Sequence, residues 1–269
     1  MQRRCLMNQE ELLQLSDLNL AESYREISRW NPHTDMAEQG GILFVSGAGT
    51  FAAINFVIRV GNNLRSSPDV FIDRARTFFA ARKRSFSIIV RAHLDKDLLE
   101  TCKGLELYQV ANAPGMVIEA PLDDNPLPSG VRLQHITTEA MAQDFAEVAG
   151  QSFTTLGLPE EVGRSIFSEP SALLAPHLYL VVAYLDEKPS SCALAILSHG
   201  IGGIYYVGTI GAARGIGLAE YCTRAVGNAA FKLGARCVVL QASVYGEPVY
   251  RRMGYKEFTR YPWFICPSR

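Results

Sequence analysis

The chain has 269 residues, of which 48% are hydrophobic, 20% charged and 10% aromatic; that is enough apolar surface to bury a core and excludes global disorder. At about 150 residues per domain, it holds one large domain or two. Its 26 Lys and Arg against 27 Asp and Glu leave a net charge of −1. There is no chain-wide field to collect nucleic acid or an anionic membrane, so neither is an expected partner and any anion site is local.

The cysteines Cys5, Cys102, Cys192, Cys222, Cys237 and Cys266 are far apart and contain no C-x-x-C pair. This argues against a zinc cage or a disulfide scaffold; they read as reduced, packed thiols, and no metal is expected. Charges from Arg3 to Arg29 leave no apolar stretch for a signal peptide, so the cytoplasm is the expected location. The uncharged run from Pro189 to Ala213 is long enough to span a bilayer, but its five glycines, three serines and His199 read better as strands and turns.

In chain order, residues 7–30 read as a helix. The apolar runs GGILFVSG and FAAINFVIRV, separated by Ala48-Gly49-Thr50, read as a hairpin. A helix follows Ser67-Pro68-Asp69 with Phe71, Ala75, Phe78 and Phe79 on one face. SFSIIVRA is a strand, DKDLLETCKG a short helix, and LYQVA and MVIEA two further strands. Residues 121–130, PLDDNPLPSG, form the best candidate linker. Beyond it come the strand VRLQHI, a helix capped by Thr137 or Thr138, and a short helix with Pro159 in its first position. The hairpin LYLVVAYL and SCALAIL precedes the strand IYYVGTI, a long helix from Gly217, the strand CVVLQAS, the short helix EPVYRRMG and a final strand region. The order hairpin, helix, strand, short helix, strands occurs in both halves. It suggests two copies of one α+β unit, residues 1–120 and 131–269, joined by the linker.

The segment with a specific chemical signal is Tyr206 to Arg224, where a strand runs through small residues into a long helix. Gly211, Ala212, Ala213, Gly215 and Gly217 leave the turn's backbone N–H groups accessible. The first helical turn offers further unpaired amides at the positive end of the dipole, which suits a pyrophosphate. Arg214 adds charge at the rim. The bland alternative is a glycine-rich turn that only permits tight packing.

The G-x-x-x-G-x-G spacing of this turn resembles the NAD(P) loop of short-chain dehydrogenases. Context opposes that reading, since only 50 residues follow Ala219 and no Y-x-x-x-K pair is present. The fuller resemblance is to the GCN5-related N-acetyltransferases, whose pyrophosphate turn is [Q/R]-x-x-G-x-[G/A]. Arg214-Gly215-Ile216-Gly217-Leu218-Ala219 fits each fixed position, and Tyr250-Arg251-Arg252-Met253-Gly254-Tyr255 matches the family's later Y-x-x-x-G-[F/Y] segment. One departure is Gly211, where many members have proline. The resemblance covers residues 131–266 and implies a mixed α+β sheet flanked by helices, with acetyl-CoA as cosubstrate.

The resemblance also implies roles. Val207, Gly208 and Thr209 end a strand that hydrogen-bonds the pantetheine arm; the amides of Gly215, Ile216, Gly217, Leu218 and Ala219, with Arg214, hold the pyrophosphate. Tyr250 is the general acid that protonates the leaving thiolate, its bland alternative being a core tyrosine. Ser243 either contacts pantetheine or caps the short helix. The expected activity is acetyl transfer to a small-molecule or peptide amine, with a non-catalytic acyl-CoA-binding module as the alternative.

Other residues read as structural. Glu147, Glu160, Glu161 and Glu169 are solvated helix acids, His177 and His199 structural histidines, and Cys222 packing. Tyr205, Tyr206, Tyr261 and Trp263 are candidates for an acceptor pocket or the core. The first half lacks the spaced glycines between Val60 and Asp69 and is expected to hold no CoA site. It acts as a scaffold or as one wall of the acceptor cleft. Arg82, Lys83, Arg84 and Arg91 read as a solvated basic run. The acceptor and the oligomeric state are not legible in the sequence.

Overall fold

The computed structural model describes residues 7–61 and 66–267. Cys5 and the stretch from Asn62 to Arg65, both named above, lie outside the described residues. Helix α1 (Gln9–Trp30) is capped by Asn8, whose side chain accepts from Glu11 N at 2.8 Å. It is followed by strands β1 (Asp35–Gln39), β2 (Ile42–Ser46) and β3 (Asn55–Arg59), helix α2 (Pro68–Ala80), strand β4 (Phe86–Ile89), helix α3 (Lys96–Gly104) and strand β5 (Tyr108–Ile118). The second half runs β6 (Val131–His135), α4 (Glu139–Ser152), α5 (Glu160–Ser165), β7 (Leu178–Leu185), β8 (Lys188–Ser198) and β9 (Ile201–Thr209). Helix α6 (Leu218–Lys232), β10 (Val238–Gln241), α7 (Glu247–Arg252) and β11 (Lys256–Cys266) complete the chain.

Among the described residues the strands form one mixed sheet in the order β1-β2-β3-β4-β11-β5-β10-β9-β8-β7-β6. Two parallel crossovers, β3–α2–β4 and β9–α6–β10, occupy corresponding places in the halves. Each is followed by a short helix and an antiparallel strand, and those two strands are exchanged. β5 of the first half pairs with β10 of the second, whereas the C-terminal β11 pairs with β4 of the first; β5 and β11 also pair with each other. Neither half completes its sheet from its own residues.

The alternation of side chains along each strand feeds two core layers. On one face Leu43, Val45, Phe56, Leu180, Val182, Leu194 and Ile196 pack under α1 and α4, with Trp30 and Phe145 fully buried among them. On the opposite face Ile42, Phe44, Val57 and Ile88 pack under α2 and α3, while Val181, Ala183, Ala193 and Ala195 pack under α6. Helix α1 belongs to the first half by sequence, yet Asn19 donates to Ile196 O at 3.0 Å and to Ser198 Oγ at 2.7 Å. It thereby spans the junction. The linker is also held down: Asn228 of α6 clasps the backbone of Leu122 through bonds of 2.9 and 2.8 Å, and Tyr221 donates to Pro126 O at 3.0 Å.

Several sequence expectations need correction. LYQVA and MVIEA form one continuous strand, β5, because β11 pairs with it on both sides of Pro114, from Lys256↔Val117 to Ile265↔Tyr108, and the Pro114 carbonyl accepts from Ala242 N at 3.0 Å. Strand β1 was not anticipated, since its exposed edge residues carry no apolar alternation. Pro159 caps α5 from outside the helix, which begins at Glu160. Thr138 is the cap of α4. Arg91 is not part of a solvated run: it is fully buried, bidentate to Asp95 at 2.8 and 2.9 Å, with Asp17 at 3.4 Å. That carboxylate pair compensates the buried guanidinium and holds it firmly protonated.

Candidate active site

Strands β9 and β10 pair in parallel over only three positions, Val238 with Gly202, Val239 with Gly203 and Leu240 with Ile204. Beyond that point they part. The cause lies in β9. Its pairing with β8 steps from Leu194↔Tyr205 to Cys192↔Gly208, so Tyr206 and Val207 face a single residue, and Tyr206 takes a left-handed φ of 50°. Such a bulge bends its strand and increases the local twist, and a non-glycine residue in this region marks stored strain. Gln241, one residue past the last β9 partner, pairs only with Gly115 of β5. The result is a fork with Tyr206–Thr209 on one lip and Gln241–Ser243 on the other.

Gly208 is required on the first lip by close approach. A Cβ there would stand 2.4 Å from Ser152 Cβ and 2.6 Å from Ser152 Oγ at the end of α4. The lip is further pinned by Ser191 Oγ, which donates to Gly208 O at 2.7 Å and lies 2.8 Å from Thr209 Oγ1.

The chain then passes through a 3-10 turn, Gly211–Ala213, into α6. Gly215 (φ 87°) and Gly217 (φ 81°) are both left-handed, a conformation that glycine adopts without steric cost. Gly217 is the N-cap of α6, so the amides of Leu218 and Ala219 fall in the first turn, where no intrahelical carbonyl can reach them. Nothing lies within 4 Å of a Cβ built on Gly211 or Gly215. The turn is therefore unobstructed there, and it leads into the positive end of a helix of 15 residues. Ile216 extends its side chain outward, and Leu218 is buried beneath. Arg214 serves as a strut: its Nε donates to Thr209 O at 3.1 Å and its Nη2 to Ser152 O at 3.3 Å.

Tyr250 lies on α7 in the core layer of α6, with Leu218, Cys222 and Val226, its ring 5.8 Å from that of Tyr255. Burial pushes its hydroxyl up to about 12. Cys222, in the same layer, is likewise pushed to about 12, an unreactive packed thiol. Ser243 does two things: its Oγ accepts from Gly246 N at 3.1 Å, capping the turn into α7, and it lines a cavity on the other face.

That cavity, of about 630 Å³, opens at the fork and lies between the halves. Its wall takes Tyr24 and Ile27 from α1, Phe51 and Ile54 from the β2–β3 loop, and Phe153 and Phe167 from the region around α5. Tyr205, Tyr206, Tyr261 and Trp263 all line it, as do Gln241, Ser243 and Glu247; Tyr250 does not. The contribution of α1 was missed from sequence, although Leu20, Tyr24, Ile27 and Asn31 recur at helical spacing. The acids read as solvated are so: Glu147 and Glu160 both pair with Arg164 at the surface. His177 instead holds the buried Glu26, with 2.8 Å between Nε2 and Oε1.

No protein-family model matches the sequence, and no curated protein matches it. Solved structures do match. A GCN5-related N-acetyltransferase from Kribbella flavida is 19% identical, covers 93% of this chain and 95% of its own, and superposes with a TM-score of 0.69. The fold is therefore that of the GCN5-related N-acetyltransferases. More particularly it is the tandem form, since a tandem protein of this fold from the clavulanic acid biosynthesis pathway covers 96% of the chain and 94% of its own at 14% identity and TM-score 0.63. A further relative in fold, from Sphaerobacter thermophilus, is 16% identical over 96% of this chain and 93% of its own, with a TM-score of 0.58. Among the described residues no helix is long and apolar enough to cross a membrane.

Proposed function

We propose that this protein is an acetyl-CoA-dependent N-acetyltransferase that passes the acetyl group directly to an amine. One observation carries the reading: the parting of β9 from β10, the amide-lined turn before α6 and the cavity between the halves all meet at a single fork. In this reading the amides of Gly215 to Ala219 hold the pyrophosphate, with Arg214 adding charge once its carbonyl contacts yield. The lip Val207–Thr209 offers backbone hydrogen bonds to the pantetheine arm in place of the β10 partner it lacks, and Ser243 faces the same gap. Bound there, acetyl-CoA supplies the activated acyl carbonyl. The cavity side of the fork admits the acceptor nitrogen, which forms the new C–N bond as the C–S bond breaks.

Tyr250, like any tyrosine, carries its proton throughout the neutral range, and burial raises its hydroxyl further, to about 12. It is thus a donor for the departing sulfur, and the proton lost by the acceptor nitrogen restores it through solvent. The first half supplies α1 and the β2–β3 loop as one wall of the acceptor site. A non-catalytic acyl-CoA-binding module is the second reading, favoured by one fact: Tyr250 packs with α6 and is absent from the cavity wall.

Tyr250→Phe separates the two. For an enzyme, thiol release from acetyl-CoA falls about 100-fold while CoA affinity measured by calorimetry is unchanged. Wild-type protein that binds CoA yet releases no thiol across a broad panel of amines and peptides is the module.

A further inference from the structure

We propose that the acceptor is a compact, largely apolar primary amine whose only charge is its reacting group and which carries one hydrogen-bond-accepting oxygen read by Gln241. This rests on the acetyl-transfer reading and adds the substrate class to it. A cavity of about 630 Å³ suits a small molecule. Aromatic rings from both halves, among them Tyr24, Phe56, Phe153, Phe167, Tyr206 and Trp263, form much of its wall.

Charge inside the cavity is already spent. Its charged lining residues are Glu247 and Arg260. Glu247 accepts from Arg251 at 2.7 Å and lies 3.9 Å from Arg260, which in turn donates to Glu257 at 2.8 Å. A second carboxylate on the acceptor would find no free cation there, and a polycation no free cluster of acids; either would lose its hydration without compensation. Most lining polar groups are likewise engaged: Ser23 Oγ donates to Leu20 O, Tyr205 donates to Asn19, and Asn31 bridges Ser165 O and His33 N.

Two lining groups are buried without a partner, Gln241 Nε2 and Thr34 Oγ1. Thr34 lies beyond the C-terminal end of α1 and belongs to neither lip of the fork. Gln241 follows the last β9–β10 pair, on a lip of the fork itself. A buried amide donor left unpaired is costly, and a turn of the Gln241 side chain, which lines the cavity, brings it to an oxygen on the acceptor. The hydrogen bond fixes the amine's orientation while the rings bury its carbon skeleton.

The test measures binding and turnover separately. Probes are 2-phenylethylamine, its methoxy derivatives at ring positions 2, 3 and 4, L-glutamate, an aminoglycoside and a lysine-containing peptide. Each is titrated calorimetrically without CoA and then assayed for thiol release with acetyl-CoA. The phenylethylamines bind and turn over, and at least one methoxy derivative exceeds the parent by about five- to ten-fold in kcat/KM, the size of one net hydrogen bond. In Gln241→Leu that ratio collapses toward one; Gln241→Met provides the same readout if the leucine variant fails to fold.

Preference for a charged amine or peptide overturns the proposal, as does an unchanged ratio in both Gln241 variants. A preference for a long acyl thioester over acetyl, with small amines as acceptors, overturns it too, since the cavity would then house the acyl chain. Amine binding without CoA binding upholds the cavity assignment and removes the acetyl-transfer reading. CoA binding without binding of any phenylethylamine does the reverse.

Discussion

Replacing Gly208 with alanine should damage the fork through one contact. The added Cβ would stand 2.4 Å from Ser152 Cβ, against an ordinary carbon contact of about 3.5–4.0 Å, so β9 or the last turn of α4 must move by about 1 Å. Neither yields easily: Gly208 is bonded through its carbonyl to Ser191, and Ser152 is tied to Val148 O at 2.6 Å. Overpacking of this kind costs about 1–3 kcal/mol. In a chain of this size each kcal/mol lowers Tm by about 2–4 °C. Ser152→Gly removes the opposing Cβ and Oγ, at a helix cost of about 0.5–1 kcal/mol. The double variant should then be more stable than the sum of the singles by about 1–2 kcal/mol. Thermal and urea unfolding of wild type, both singles and the double variant measure this coupling, and CoA titration of the same four proteins reports the lip. Additive effects would refute the claim that Gly208 is demanded by α4.

Asp97 is held below the ordinary carboxylate range chiefly by its hydrogen bond from the buried Arg59 guanidinium, at 2.8 Å. A depressed folded-state value contributes stability that is present above the unfolded value of about 3.9 and is lost as pH falls through the folded one. Asp97→Asn should therefore be less stable than wild type at pH 7, with the difference closing below about pH 4; urea unfolding across pH measures it, and a gap constant with pH would exclude the linkage. Cys102, Cys192, Cys222, Cys237 and Cys266 are all buried, and burial raises the thiols of the first four, to about 12 for Cys102, Cys222 and Cys237. Maleimide labelling followed by peptide mass spectrometry at pH 8 should leave these five unmodified until the protein is unfolded.

The legible part of the fold was the part written in local periodicity. Paired hydrophobic runs gave the hairpins, Ser67-Pro68 and Thr138 marked helix starts, and Gly215 and Gly217 marked the turn, because each signal acts within a few residues. Strand exchange between β5 and β11 is not a local property. Nothing in LYQVA or YPWFI specifies which half's sheet it completes, and Pro114 within β5 disguised a continuous strand as two. The burial of Arg91 is not local either: its bidentate partner Asp95 is four residues on, but the second carboxylate, Asp17, lies 74 residues away in sequence and only the folded chain brings it there.

The candidate site divides in the same way. The amide turn is contiguous in sequence, and so it was visible. The cavity is assembled from α1, a loop of the first half, β5, β10 and β11, with Gln241 as an unpaired amide that no motif announces. Strands as aromatic as those of Tyr205, Tyr206, Tyr261 and Trp263 are either core or pocket, and here they border both.

Acetyl transfer as proposed depends on the glycine turn before α6 holding a diphosphate. Calorimetric titration of the protein with CoA and, separately, with pantetheine, which lacks the diphosphate, addresses this directly. CoA should bind with measurable heat and pantetheine far more weakly, and Gly217→Val, which places a branched side chain at φ 81°, should reduce CoA to the level of pantetheine. Equal affinity for the two ligands, or CoA binding that survives Gly217→Val intact, would contradict it.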